Sequence, residues 1–139
     1  MLKRRGKRRF FTLMEMVVVI AIIALLAAVV TPMYFKHVKT ARINAAKTQV
    51  ALLGQAIGDY QLDKGKPPRS LNDLITNTSG AKKWNGPYLQ ATKIPPDPWG
   101  NEYIYQMPGK YGDYDLYSYG ENGPAGGGSS DTVIGNWNN

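Results

Sequence analysis

The chain has 139 residues, with 17 Lys and Arg against 10 Asp and Glu, one histidine and no cysteine, for a formal charge of +7. That length leaves room for one small domain, and the lack of cysteine excludes disulfide staples, thiolate nucleophiles and cysteine-ligated metals. Six of the 17 basic residues precede Phe11, so the remainder of the chain carries eleven basic and ten acidic side chains, a near balance that speaks against binding a phosphate backbone.

Residues 1–10 are a basic leader containing Lys3, Arg4, Arg5, Lys7, Arg8 and Arg9. Phe11 to Val30, FTLMEMVVVIAIIALLAAVV, is a run of twenty residues whose single charge is Glu15. At ~1.5 Å per residue such a helix matches the roughly 30 Å of a bilayer core. The basic flank predicts an N-terminus inside and a C-terminus outside. A cleavable secretory signal cut near Ala27 and Ala28, or a twin-arginine signal around Arg8 and Arg9, are alternatives. Glu15 weighs against both. A charged side chain near the centre of a membrane helix costs about 2.5–3.5 kcal/mol on insertion scales, an ordinary signal gains nothing from it, and it calls for a cationic partner.

Pro32 predicts a kink or local melting between Val30 and Tyr34. His37 lies beside Lys36 and Lys39 and reads as a solvated residue at a membrane boundary. Ile43, Ala46, Val50, Leu53, Ile57 and Tyr60 then recur at steps of three and four, the apolar stripe of a half-exposed helix. Lys39, Arg42, Lys47, Gln49 and Gln55 fall mostly elsewhere around it, and Gly54 and Gly58 leave room for a close neighbour. From Leu13 to Leu62 the helical stretch would measure on the order of 75 Å. KGKPP, Lys64 to Pro68, ends it, because two prolines cannot continue a helix.

Ser70 is placed to cap a short turn over Leu71 to Ile75, and Asn77 to Pro87 reads as loop. Pro95, Pro96, Pro98 and Gly100 force turns before a strand at Glu102 to Gln106, and a second strand is expected at Asp113 to Tyr119. Tyr103 with Tyr105, and Tyr117 with Tyr119, share strand faces and read as packing. Asp113 and Asp115 are expected to project as solvated carboxylates. With no cysteine, one histidine and no carboxylate pair set for burial, no catalytic constellation forms, and a non-enzymatic protein is expected. The Gly- and Ser-rich stretch Gly120 to Asp131 carries Glu121, Asn122, Ser129, Ser130 and Asp131. It reads either as a flexible tail or as an oxygen-lined cation loop without EF-hand spacing.

FTLMEMVVVIAIIALLAAVVTP resembles the N-terminus of the type IV pilin superfamily, in which a prepilin peptidase cuts before the Phe and methylates the new amine. The resemblance implies a processing junction at Phe10 and Phe11, N-methylation of Phe11, and an assembly role for Glu15 opposite a neighbour's N-terminus. The family reads Gly where this chain has Phe10. Downstream, YQLDKGKPP, WNGPYL, PPDPWGNEYIY, YDLYSYGENG and IGNW resemble, in order, segments of the major pseudopilins of type II secretion systems.

That resemblance implies an α+β, pilin-like fold: leader 1–10, transmembrane and filament-core helix 11–31, amphipathic helix 32–63, and a small β-rich part 64–139 ending in the loop. It also implies calcium, held by Tyr119, Asn122, Pro124, Ser129 and Asp131, with Asn122 standing where the family has an aspartate. The implied function is a structural subunit of a periplasmic filament, the pseudopilus, that drives folded proteins through the outer membrane. Implied partners are further copies of the chain, minor pseudopilins, the prepilin peptidase, an inner-membrane assembly platform and its cytoplasmic ATPase, with no nucleic acid. The implied location is the inner membrane in a single pass, with the C-terminal domain periplasmic. A subunit of a type IV pilus or DNA-uptake filament is the alternative.

Overall fold

The computed structural model describes residues 10–126 and 132–139. Helix α1 spans Leu13–Lys64 and is followed by a 3-10 turn at Leu71–Leu74. Strands β1, Ile104–Gln106, and β2, Asp115–Ser118, come next, then 3-10 turns at Gly120–Asn122 and Pro124–Gly126, and a short β3 at Ile134–Gly135. The chain divides into two units, Met1–Lys39 and Thr40–Asn139.

In the first unit α1 starts at a polar cap. Thr12 Oγ1 accepts the Glu15 N–H at 3.1 Å and the Thr12 carbonyl accepts the Met16 N–H at 3.2 Å. Thr-x-x-Glu is a capping-box sequence, and the Glu15 carboxylate lies in the first turn, where the helix dipole favours negative charge. The apolar side chains beyond it are exposed on every side of the helix, from Met14 and Val17 to Val30 and Phe35. The helix is long and apolar enough to cross a membrane by length and composition. It runs through Pro32 without the local melting that the proline suggests. A proline removes one helical N–H, and the regular bonds on either side hold the ladder together.

In the second unit the stripe expected from periodicity is the core. Ala46, Val50, Leu53, Ile57 and Tyr60 are buried, joined by Ala56, and they meet Leu71, Leu74, Tyr103, Leu116 and Ile134. Ile43 packs at the margin of this cluster. The helix stops after Lys64 because Gly65 takes φ +74° and its N–H reaches back to the Gln61 carbonyl at 2.7 Å, a left-handed C-cap before the prolines. Ser70 caps the following turn by accepting the Asn72 N–H, as its position in the sequence suggests.

The three strands form one antiparallel sheet in the order β1-β2-β3, with Ile104 opposite Tyr117, Tyr105 opposite Leu116, and Ser118 opposite Ile134. Strands β1 and β2 are shorter than expected. The Asp113 carbonyl is taken by the Gly109 N–H at 3.2 Å, closing the turn, so pairing starts only at Asp115, and it ends where the chain turns at Gly120. Strand β3 has no counterpart among the expected elements, since two residues carry no alternation to read.

One expectation is reversed. Asp113 is exposed, but Asp115 is only 2% exposed, and its two oxygens accept the Lys110 and Tyr111 N–H groups at 2.7 and 3.1 Å. Backbone donors, not water, solvate that carboxylate, and they fold the Met107 to Asp113 turn around it.

Candidate functional site

Two regions carry the expected site residues. At the N-terminal end, Phe10 and Phe11 are exposed and lie just ahead of α1. Glu15 is also exposed, one turn into the helix. A carboxylate at the mouth of an otherwise apolar cylinder is suited to meet a cation on another molecule, since each charge is costly in hydrocarbon alone.

The C-terminal loop is built from tight turns. Tyr119 is half-buried and precedes Gly120, whose φ is +74°; Gly123 comes next at +60° and starts the turn Pro124–Gly126. A Cβ on Gly120 would lie 2.4 Å from the Thr132 carbonyl oxygen, so the two ends of the loop meet there. Asn122 and Pro124 are exposed, and Asn122 lies against Gly126. Ser129 and Asp131 lie outside the described residues. The Tyr119 and Pro124 carbonyls and the Asn122 amide are neutral hard oxygens of the kind that calcium accepts, and the two left-handed glycines let the backbone curl, so the donor chemistry fits that ion. Among the described residues no three acidic, His or Cys side chains converge on a metal-binding position.

The tyrosines are structural. Tyr103 donates to Gln49 Oε1 at 2.9 Å and Tyr105 to the Pro68 carbonyl at 2.6 Å, tying the strand region to α1 and to the segment after it. Burial, and then the Asp97 carboxylate, push the Tyr103 hydroxyl up to about 12. Burial raises Tyr105 and, with the Tyr119 hydrogen bond adding to it, pushes Tyr117 up to about 12. At neutral pH these groups are donors and not phenolates.

Residues 33–137 match the family described as Type II secretion system (T2SS), protein G. The chain belongs to that family. The match starts beyond the apolar run, so it rests on the amphipathic part of the helix and the C-terminal part of the chain. The type II secretion system core protein G of Pseudomonas aeruginosa is 38% identical over 143 residues, covering 98% of this chain and 99% of that protein. The core protein G of Vibrio cholerae is 34% identical, covering 99% of this chain and 97% of that protein. The crystal structure of the major pseudopilin from the type 2 secretion system of enterohaemorrhagic Escherichia coli matches with a TM-score of 0.59 and 25% identity, covering 74% of this chain and 92% of that one.

Within this protein G fold, sequence reasoning missed a buried polar group beside the loop. Asp97, in the PDPWGN stretch, is 4% exposed, and Ser118 is fully buried. Asp97 Oδ1 accepts the Trp99 and Asn101 N–H groups at 3.0 and 2.8 Å, and Ser118 Oγ donates to Asp97 Oδ2 at 2.6 Å. The signal available was an aspartate two residues before a Trp-Gly pair, the pattern of a side chain bonding its own turn.

Proposed function

We propose that this protein is the major structural subunit of a type II secretion pseudopilus. The observation that carries the reading is the correspondence, over nearly the full length of both chains, to core protein G relatives. The physical features agree with it. An apolar helix exposed on every side needs a cover, first lipid and then the helices of neighbouring subunits, so that protein contacts replace lipid contacts as each subunit leaves the membrane.

In this reading the basic leader stays cytoplasmic, the C-terminal unit is periplasmic, and the leader is removed between Phe10 and Phe11 with methylation of the new amine. Glu15 pairs with the N-terminus of an adjacent subunit and sets the docking register. The role is mechanical and not enzymatic; the work of extraction comes from the assembly platform and its ATPase. The Tyr119 and Pro124 carbonyls and Asn122 would hold calcium together with Ser129 and Asp131, and the ion would contribute positive charge that binds the loop together. Glu15→Ala tests the reading: membrane levels of the chain should stay unchanged while sheared filament yield collapses. Wild-type filament yield would refute the assembly role.

A further inference from the structure

The buried Asp97 and Ser118 pair does more than fill the core, because of what Ser118 holds on its other side. Ser118 Oγ gives its proton to Asp97 Oδ2 at 2.6 Å and accepts the Gly120 N–H at 3.0 Å. The Gly120 N–H belongs to the same planar trans peptide as the Tyr119 carbonyl, and in such a plane the two groups point in opposite directions. Fixing the N–H against Ser118 therefore fixes where the Tyr119 carbonyl points.

The hydroxyl alone could not do this, since a serine proton rotates to suit any acceptor. Asp97 removes that freedom, and Asp97 is itself pinned by the Trp99 and Asn101 N–H groups. The Asp97 N–H bonds the Asn101 carbonyl at 2.8 Å and the Asp97 carbonyl accepts the Gly100 N–H at 3.0 Å, so the whole Asp97 to Asn101 turn is a rigid base. A chain of hydrogen bonds thus runs from that turn, through two buried side chains, to one backbone carbonyl at the start of the C-terminal loop.

We propose that Asp97 is a positioning residue for calcium: it never touches the ion, but through Ser118 it aims the Tyr119 carbonyl and so sets the affinity of the loop. The inference rests on the proposal that the loop holds calcium. Losing an outer partner of this kind costs about 10- to 100-fold in metal affinity where such partners have been removed.

The test is calorimetric calcium titration of the full chain in detergent micelles, comparing wild type with Asp97→Asn, Ser118→Ala and Asp115→Ala. Asp97→Asn keeps an oxygen for the Trp99 and Asn101 N–H groups, which fixes the amide orientation, and turns an N–H toward Ser118. That variant should stay folded. The expected result is a loss of about tenfold or more for Asp97→Asn and Ser118→Ala, with unchanged affinity for Asp115→Ala, which loosens a different turn. Equal affinity in wild type and in the Asp97 and Ser118 variants would overturn the positioning role and leave the calcium reading standing. An equal loss in all three variants would also overturn it, as general loosening. No binding by wild type would remove the calcium reading itself, and the positioning role with it.

Discussion

The Asn136 side chain pairs with the Leu116 backbone as a strand residue would. Its Oδ1 accepts the Leu116 N–H at 3.0 Å, its own N–H donates to the Leu116 carbonyl at 2.9 Å, and its Nδ2 reaches the Tyr114 carbonyl at 3.2 Å. β3 has two residues, so this amide lengthens the edge contact of β2, whose Leu116 is fully buried. Asn136→Ala leaves the Leu116 N–H without its partner, and an unsatisfied buried donor costs about 1–3 kcal/mol. Urea denaturation of the detergent-solubilised chain, followed by tryptophan fluorescence, should show a lower midpoint. An unchanged midpoint would remove the clamp from the account.

Core and surface aliphatic residues of the same helix should separate sharply. Ile57 is fully buried, whereas Leu62 is 85% exposed. Ile57→Ala should cost about 2–5 kcal/mol, a cavity effect, while Leu62→Ala stays within about 0.5 kcal/mol. The same urea measurement checks both. Comparable losses would mean that the apolar stripe is drawn on the wrong face.

The division between what can and cannot be read from the sequence comes from the range of each signal. The stripe from Ala46 to Tyr60, the stop within Lys64 to Pro68 and the cap at Ser70 are local patterns that appear where periodicity and turn chemistry put them, although the stop is made by the left-handed Gly65 and not by the prolines. Burial of Asp97 and Asp115 is invisible there because a carboxylate's surroundings depend on which N–H groups the loops deliver to it. Asp115 satisfies itself from Lys110 and Tyr111, and Asp97 from Trp99, Asn101 and the distant Ser118. Pro32 misleads in the other direction, since one missing N–H does not melt an otherwise regular helix. Of the expected loop ligands, Tyr119, Asn122 and Pro124 fall on one continuous pair of turns, while Ser129 and Asp131 lie outside the described residues.

Gly120 should tolerate no side chain. Its φ of +74° disfavours any Cβ, and that Cβ would sit 2.4 Å from the Thr132 carbonyl oxygen. Gly120→Ala is expected to cost about 1–3 kcal/mol or more through strain and displacement of the loop. The contrasting Gly58→Ala, with open space around its Cβ on a helix, should be neutral or slightly stabilising. Thermal melts of the two variants decide between them, and a stable Gly120→Ala would contradict the loop geometry.

Alkaline pH should destabilise the protein through the buried Tyr103 and the half-buried Tyr117. The hydroxyls of Tyr103 and Tyr117 are pushed up to about 12 from an ordinary value of 10.0. Above pH 10 the unfolded chain releases protons that the folded chain keeps, so stability is complete below about pH 10 and falls as pH rises toward 12. Tyr103→Phe should be less stable at pH 7 by about 1 kcal/mol, for the lost Gln49 hydrogen bond, yet show a shallower decline across pH 10–12. An unchanged alkaline slope would mean that Tyr103 titrates normally.

Calcium removal should lower the melting temperature of the detergent-solubilised chain, because an ion bound only by the folded loop stabilises the fold by mass action. Melts with and without excess chelator measure this, with Asp131→Ala expected to abolish the difference. Identical melts, with no calcium found by elemental analysis, would mean that the loop does without an ion.

The central claim is that the apolar helix is kept, trimmed at Phe11 and used for assembly. Intact-mass measurement of the chain recovered from membranes tests it most directly. The account predicts a chain beginning at Phe11 and carrying one added methyl group. A mature chain beginning between Val29 and Met33, or a full-length chain with its leader still attached, would contradict it.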